Sequence, residues 1–286
     1  MNSQLVLNAL VSACIYAVAA ASFKLIYSTW RVFHFAHAAV FPLSAYCIFV
    51  LKSRLEISLP FAFLLGALSA AVLISASTLP VYRALALTSS PSWKYLVASI
   101  GCYTIIINFL AMLFGTDSYT IRTWRIRPGN EILGGRITDQ QIVLLSFAVL
   151  SVALLGVFIK NSRAGLLLRA LALDADLSEV WGVPSRQLLY LSYFCGSVLA
   201  AVLGGLIVLS VDFDPYLGFN TFLYSFVALV VGGRGLVKGP VVGAITLSTF
   251  QHWAAFWFGA EWMNAVAYGG LAAWFCVADA DRALRA

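Results

Sequence analysis

The chain has 286 residues, a formal charge of +6, and is 62% hydrophobic but only 10% charged, with a mean hydropathy of +0.91. Soluble domains carry about 25% charged residues, so a water-soluble fold is excluded. The positive balance reads as Lys and Arg held at cytoplasmic membrane edges, not as a surface for nucleic acid. The five cysteines stand singly inside apolar runs, without the spacing of a metal site or a disulfide framework.

Apolar runs able to cross a hydrocarbon core of about 30 Å recur along the chain. "MNSQLVLNAL" has no basic n-region and no cleavage site, so it opens a retained first span, Leu5–Tyr27. Phe33–Leu51 is shorter and polar at its start; Leu59–Tyr82 and Trp93–Phe114 follow. A polar loop at 115–141 leads to Ile142–Lys160, and a charged island at 160–187 separates that from Leu188–Leu209. Thr221–Gly233 is a short apolar segment, and Pro240–Phe258 and Trp262–Val277 close the chain. The fold class expected is all-α, a polytopic membrane protein of eight or nine transmembrane helices. The number is nine if the short segment crosses and eight if it is re-entrant.

With nine crossings and a cytoplasmic island, the inner side holds Lys24, Arg31, Arg83, Lys94, Lys160, Arg163, Arg169, Arg186, Arg234, Lys238, Arg282 and Arg285. Those are twelve of eighteen basic residues, which agrees with the positive-inside rule and puts the N-terminus outside and the C-terminus inside. The bias is twofold because Arg122, Arg125, Arg127 and Arg136 sit in the outer loop.

Two stretches share a layout. "WRVFHFAHAAVFPLSAYCIFVL" and "DPYLGFNTFLYSFVALVVGGRGLVKGP" each place a polar, aromatic-rich lead-in before a short apolar segment. An odd number of crossings separates them, so they would be inverted repeats with broken helices, a recurring transporter plan. The single domain 1–286 then divides into a first repeat at about 5–114 and a second at about 188–278.

All twelve acidic residues fall in loops or tails, whereas proton-coupled carriers need an intramembrane ionisable relay. Nothing matches G-x-x-x-x-G-K-[ST], so the chain does not hydrolyse nucleotide, and the glycines of "GGRGLVKGP" read as close packing and a turn. His34 and His37, three apart in "HFAH", are joined elsewhere only by His252, so polar lining or packing is preferred to a metal pair. No catalytic residue, metal or cofactor is expected in this chain.

The island, "KNSRAGLLLRALALDADLSEVWGVPSR", carries seven of the thirty charged residues. Read as one helix, Leu166, Ala170, Leu173, Leu177 and Trp181 form an apolar face, opposite Arg169, Asp176 and Glu179. Gly182 and Pro184 end it. Such a helix lies on the membrane surface or enters a groove on a soluble partner.

These segments, in this order, resemble the permease subunits of bacterial branched-chain amino acid ABC transporters and their urea and amide relatives, over about Val11 to Phe275. "VFHFAHAAVF" resembles the family's first motif, and "VASIGCYTIIINFLAMLFG", with Gly101 and Asn108, its fourth span. "SRAGLLLRALALDADLSEVWGV", with Gly165, Arg169, Ala170 and Gly182, resembles its cytoplasmic coupling loop. "DPYLGFNTFLYSFVALVVGGRGLVKGPVVGAI" resembles its glycine-rich late segment. Where the family has Asn, Gly and Glu in the first motif, this chain has His34, Ala38 and Ala39.

The resemblance implies the permease subunit of an importer in the bacterial inner membrane. Its partners would be membrane lipid, a second permease, two cytoplasmic ATPase subunits that use ATP and magnesium, and a periplasmic solute-binding protein. It makes Arg163, Gly165, Arg169, Ala170, Leu177 and Gly182 the candidates for ATPase coupling. Without carboxylates in the spans, the solute is expected to be small and net-neutral, held by helix ends and neutral side chains. Branched-chain amino acids come first, urea or a short amide second; a passive channel and an intramembrane enzyme are the competing classes. The candidates for the path are His37, Tyr103, Asn108 and Asn220, with only one of Tyr103 and Asn108, five apart, expected to line it.

Overall fold

The computed structural model describes residues 3–88, 90–122, 129–132, 134–233 and 235–283. Arg125, Arg127, Arg234 and Arg285, used in the charge count, lie outside the described residues. The chain folds as an all-helical bundle. The first four helices are α1 (Ser3–Trp30), α2 (Val40–Ser53), α3 (Leu59–Leu87) and α4 (Ser92–Phe114), with a 3₁₀ turn at Phe35–Ala39 leading into α2. A two-stranded antiparallel hairpin, β1 (Asn130–Ile132) and β2 (Gly135–Ile137), precedes α5 (Asp139–Asn161). The island forms α6 (Arg163–Leu173) and α7 (Ala175–Val180), and α8 (Ser185–Val208), α9 (Gly218–Gly232), α10 (Lys238–Phe258) and α11 (Trp262–Ala283) complete the bundle. Six of these elements, α1 to α5 and α8, with the 3₁₀ turn counted into α2, are long and apolar enough to cross a membrane. With 15 residues, α9 spans only about 22 Å.

Local chemistry sets most boundaries. Thr138 and Gln141 form a reciprocal capping box at the start of α5, where Asp139 also meets the positive helix end. Pro stands at the start of α3 and Gly115 (φ +83°) just beyond α4. The island departs from a single helix. Asp174 leaves helical geometry and its Oδ1 accepts the Leu177 amide at 3.0 Å, so α6 ends and α7 begins on one residue.

Helix α1 is the axis of the bundle, packed on α10, α8, α9 and α5. Its buried Ala17, Ala19, Ala20, Ala21 and Ser22 let neighbouring backbones come close. At the periphery lies α4, with 17% of its apolar window buried against 67% for α8. One end of the bundle gathers the hairpin, the N-terminus of α1 and the α8–α9 link. There Tyr119 pairs with Phe213 through both backbone amides, Arg122 pairs with Asp212, and the Arg136 amide donates to Gln4. The other end carries α6 and α7, beside Trp30 and Arg31 at the end of α1.

Candidate functional site

The two short helices meet at their starts. Gly218 opens α9 directly on the 3₁₀ turn before α2, where a Cβ would stand 2.1 Å from the Ala38 carbonyl oxygen. The residues before the 3₁₀ turn, α2 and α9 supply no side-chain cap. The Phe35 amide is paired with Ser99 Oγ and the Phe219 amide with the Tyr216 carbonyl, and the positive end of α9 lies at this junction. Over it three aromatic rings from three elements come together. Phe35 lies 5.2 Å from Tyr103 and 6.0 Å from Phe219, and Tyr103 and Phe219 are 6.4 Å apart. Phe219 is 38% exposed and Tyr103 half-buried, so the cluster keeps an open edge.

Behind that face the lead-in to α2 is tied into a closed chain of hydrogen bonds. His34 contacts the Tyr82 hydroxyl through Nδ1 and the Tyr193 hydroxyl through Nε2, the latter at 2.7 Å. Thr78 donates to the Ile74 carbonyl and so accepts from Tyr193. Tyr193 therefore accepts from His34 Nε2–H, and Tyr82 donates to Nδ1. One neutral tautomer satisfies every member of this buried group. The Phe35 amide donates to Ser99 Oγ at 3.0 Å, which fixes the same segment to α4.

Of the residues expected on the path, His37 is fully buried. Ser22 donates to Ala19, so His37 Nε2–H donates to Ser22 Oγ at 3.0 Å, and its Nδ1 is left buried without a partner. Tyr103 belongs to the aromatic cluster. Asn220 is exposed one residue beyond Phe219. Asn108 is exposed on α4 and spends its amide on the Thr104 carbonyl, one turn back. The structure thus brings Tyr103 and Asn220 to the junction, sets His37 beneath it and leaves Asn108 apart. Phe35, Phe219 and the partners of His34 escape sequence reasoning. Only the position of the two phenylalanines in "HFAH" and "LGFN", at the start of each short segment, hints at them. Among the described residues no three His, Cys, Asp or Glu side chains are placed to hold a metal ion.

On the island Gly165 is buried where a Cβ would meet the Phe158 oxygen at 2.3 Å, so α6 lies hard against the end of α5. Arg163 is exposed, while Ala170 and Arg169 are half-buried, with Arg169 Nη2 3.5 Å from the Lys160 carbonyl. Gly182 takes φ +74°, a conformation few side chains tolerate, and turns the chain into α8. Leu168 and Leu171 face the bundle. Leu166, Leu173, Leu177, Val180 and Trp181 are exposed. Of the apolar face expected of the island, Leu166, Leu173, Leu177 and Trp181 therefore point outward, joined by Val180, while Ala170 is half-buried.

Residues 5–273 match the family model described as "Branched-chain amino acid transport system / permease component". The chain is 26% identical over 279 residues to the high-affinity branched-chain amino acid transport permease BraD of Pseudomonas aeruginosa, covering 93% of this chain and 90% of that one. Identity to LivH of Escherichia coli is 24% over 280 residues, with the same coverage. A shorter match, 27% over 112 residues and 36% of this chain, is to the fructose import permease FruF of Bifidobacterium longum. PsaBC from Streptococcus pneumoniae, solved with a Fab, shares the fold: TM-score 0.52 and 14% identity, over 95% of this chain and 91% of that one. This chain is a multi-pass membrane protein, a transport subunit and not an enzyme, and belongs to the branched-chain amino acid transport permease family of ABC importers.

Proposed function

We propose that this chain passes small net-neutral solutes, branched-chain amino acids first, through an importer powered by separate ATPase subunits. The observation that carries the reading is the junction of α2 and α9. An uncapped helix start favours a carboxylate, the aromatic edge of Phe35, Tyr103 and Phe219 accepts an aliphatic side chain, and Asn220 offers neutral polar atoms. His37, with an unpaired Nδ1 acceptor, suits an ammonium or amide N–H once the lead-in moves. The shared layout of the two short helices supports an inverted pair around this path.

The island end is the cytoplasmic one in this reading. Its exposed row, Leu173, Leu177, Val180 and Trp181, has the apolar character of a face seated on a soluble partner, here the ATPase. The hairpin end meets the periplasmic solute-binding protein, and the largely exposed α4 faces lipid or the second permease. The matches to BraD and LivH favour amino acids as cargo, while the partial match to FruF makes the solute a matter for experiment.

The test is uptake into vesicles holding the complex with its ATPases, second permease and binding protein. ATP-dependent uptake of leucine, with Asn220→Ala lowering it about tenfold at unchanged assembly, is the expected result. Uptake without nucleotide would point to a channel, and uptake of urea or a short amide but not leucine would move the solute class.

A further inference from the structure

We propose that Arg31 carries motion of the island into the solute junction, an inference that rests on the reading of α6 and α7 as the surface that docks the ATPase. Arg31 closes α1, its amide donating to Tyr27 at 2.9 Å. Its Nη2 donates to the carbonyls of Ala172 at 3.1 Å and Leu173 at 2.9 Å. These belong to the last turn of α6, whose carbonyls lack helical partners and carry the negative end of the helix. A guanidinium there is held by charge as well as by hydrogen bonds. Among the described residues no other side-chain hydrogen bond joins α6 to α1 or to the lead-in of α2.

The segment just beyond Arg31 cannot absorb a displacement. Within four residues the chain is fixed to four other elements. The Phe33 ring packs on Phe222 and Phe226 of α9, with centres 5.7 and 4.7 Å away. His34 is clamped between Tyr82 of α3 and Tyr193 of α8, and the Phe35 amide is held by Ser99 of α4. Arg31 itself has φ +52°, one of two non-glycine residues among those described in the left-handed region. A strained pivot thus stands between the island and a rigid lead-in whose next ring, Phe35, belongs to the solute junction. A shift of the α6 end pulls on Arg31, turns the chain at the pivot and displaces Phe33, Phe35 and the start of α9 together. Arg31 touches no solute in this scheme; it is a positioning residue.

The experiment compares the unmutated complex with Arg31→Ala, Arg31→Lys and Trp30→Phe. Leucine transported per ATP hydrolysed is measured in vesicles. In parallel, an environment-sensitive dye on Phe219→Cys, in a chain whose native cysteines are replaced, reports movement of the junction on adding magnesium and ATP. Arg31→Ala is expected to keep its ATPases bound and hydrolysing ATP, to lose about tenfold in transport per ATP, and to lose the dye response. Arg31→Lys, which restores a cation at the α6 end, should recover most of both. Trp30→Phe loses the bond from Nε1 to the Leu189 carbonyl and part of the ring packed on Tyr82 and Tyr193, but leaves Arg31 on the α6 end and should remain coupled. Should Arg31→Ala fail to accumulate, Arg31→Gln carries the test, with a loss of about threefold expected. Unchanged transport per ATP and an unchanged dye response in the Arg31 variants overturn the proposal, as does equal uncoupling by Trp30→Phe. An unmutated complex that responds to nucleotide in neither readout refutes the importer reading on which the proposal stands.

Discussion

The two lead-ins to the short helices have similar wording in sequence and opposite characters in space. The one before α2 is sealed: His34, His37 and the Phe35 amide all bond to buried protein partners. The one before α9 lies open. It is held by the backbone pairing of Tyr119 with Phe213, the ion pair of Arg122 with Asp212 and an Asp214 side chain accepting the Tyr216 amide. Val211, Tyr216 and Phe219 remain exposed. The difference teaches where each lead-in invests its polar groups. One lead-in uses them to hold a shape next to the island; the other leaves its surface exposed.

The contact that joins the two lead-ins should be the most sensitive point. Gly218→Val puts side-chain carbon where only 2.1 Å separates a Cβ from the Ala38 oxygen. Both sides of that contact are backbone, so relief requires moving a helix, at a cost of about 3 kcal/mol or more. The expected outcome is chain lost from the membrane, or a sharply lowered unfolding midpoint in detergent. A variant of near-normal stability would separate the two lead-ins and dissolve the comparison.

His34→Ala should come next. It strands the Tyr82 hydroxyl and takes one partner from Tyr193, which keeps Thr78. An orphaned buried hydroxyl predicts about 2–3 kcal/mol of destabilisation. His34→Gln, which can still donate on one side and accept on the other, should recover part of it. Asn220→Ala sharpens the contrast: an exposed position outside such a network should change stability by less than about 0.5 kcal/mol, even where it lowers transport. Equal destabilisation by the two alanine changes would mean that the lead-ins do not differ as described.

The spans are readable because apolar runs end at Pro, Gly or charge. The fourth, expected from Trp93 to Phe114, forms from Ser92 to Phe114. The second is expected from Phe33, yet α-helix begins at Val40. The intervening 3₁₀ turn depends on Tyr82, Ser99 and Tyr193, which a local window cannot see. The island's apolar periodicity is legible and its outward direction is not, since the same stripe suits a core-facing or a partner-facing helix. The break at Asp174 is written locally, as an Asp three residues before the amide it caps, but a continuous apolar pattern outweighs it. The hairpin at 130–137 is too short for a period-two pattern to stand out. His37 illustrates the limit at the site: its residue type suits a solute path or a packed core, and only its surroundings reveal a buried imidazole with one free nitrogen.

A small effect of a different kind is expected at the ion pair beside the α9 lead-in. The Arg122 and Asp212 side chains are 21% and 55% exposed, and Arg122 also donates to the Ser210 carbonyl at 3.1 Å. Water screens such a pair, so Asp212→Asn should cost no more than about 1 kcal/mol. The gap between variant and parent should narrow as salt is raised toward roughly 1 M, where the screening length falls to about 3 Å. Arg122 keeps its bond to Ser210 in that variant, and the Tyr119–Phe213 pairing is backbone, so the lead-in should stay in place. Melting curves at low and high salt measure both quantities. A loss as large as that of His34→Ala, indifferent to salt, would make this pair a buried lock, and the α9 lead-in as fixed as its counterpart. A small, salt-sensitive loss is what an open lead-in requires, because a surface left exposed to water cannot also be held by desolvated charge.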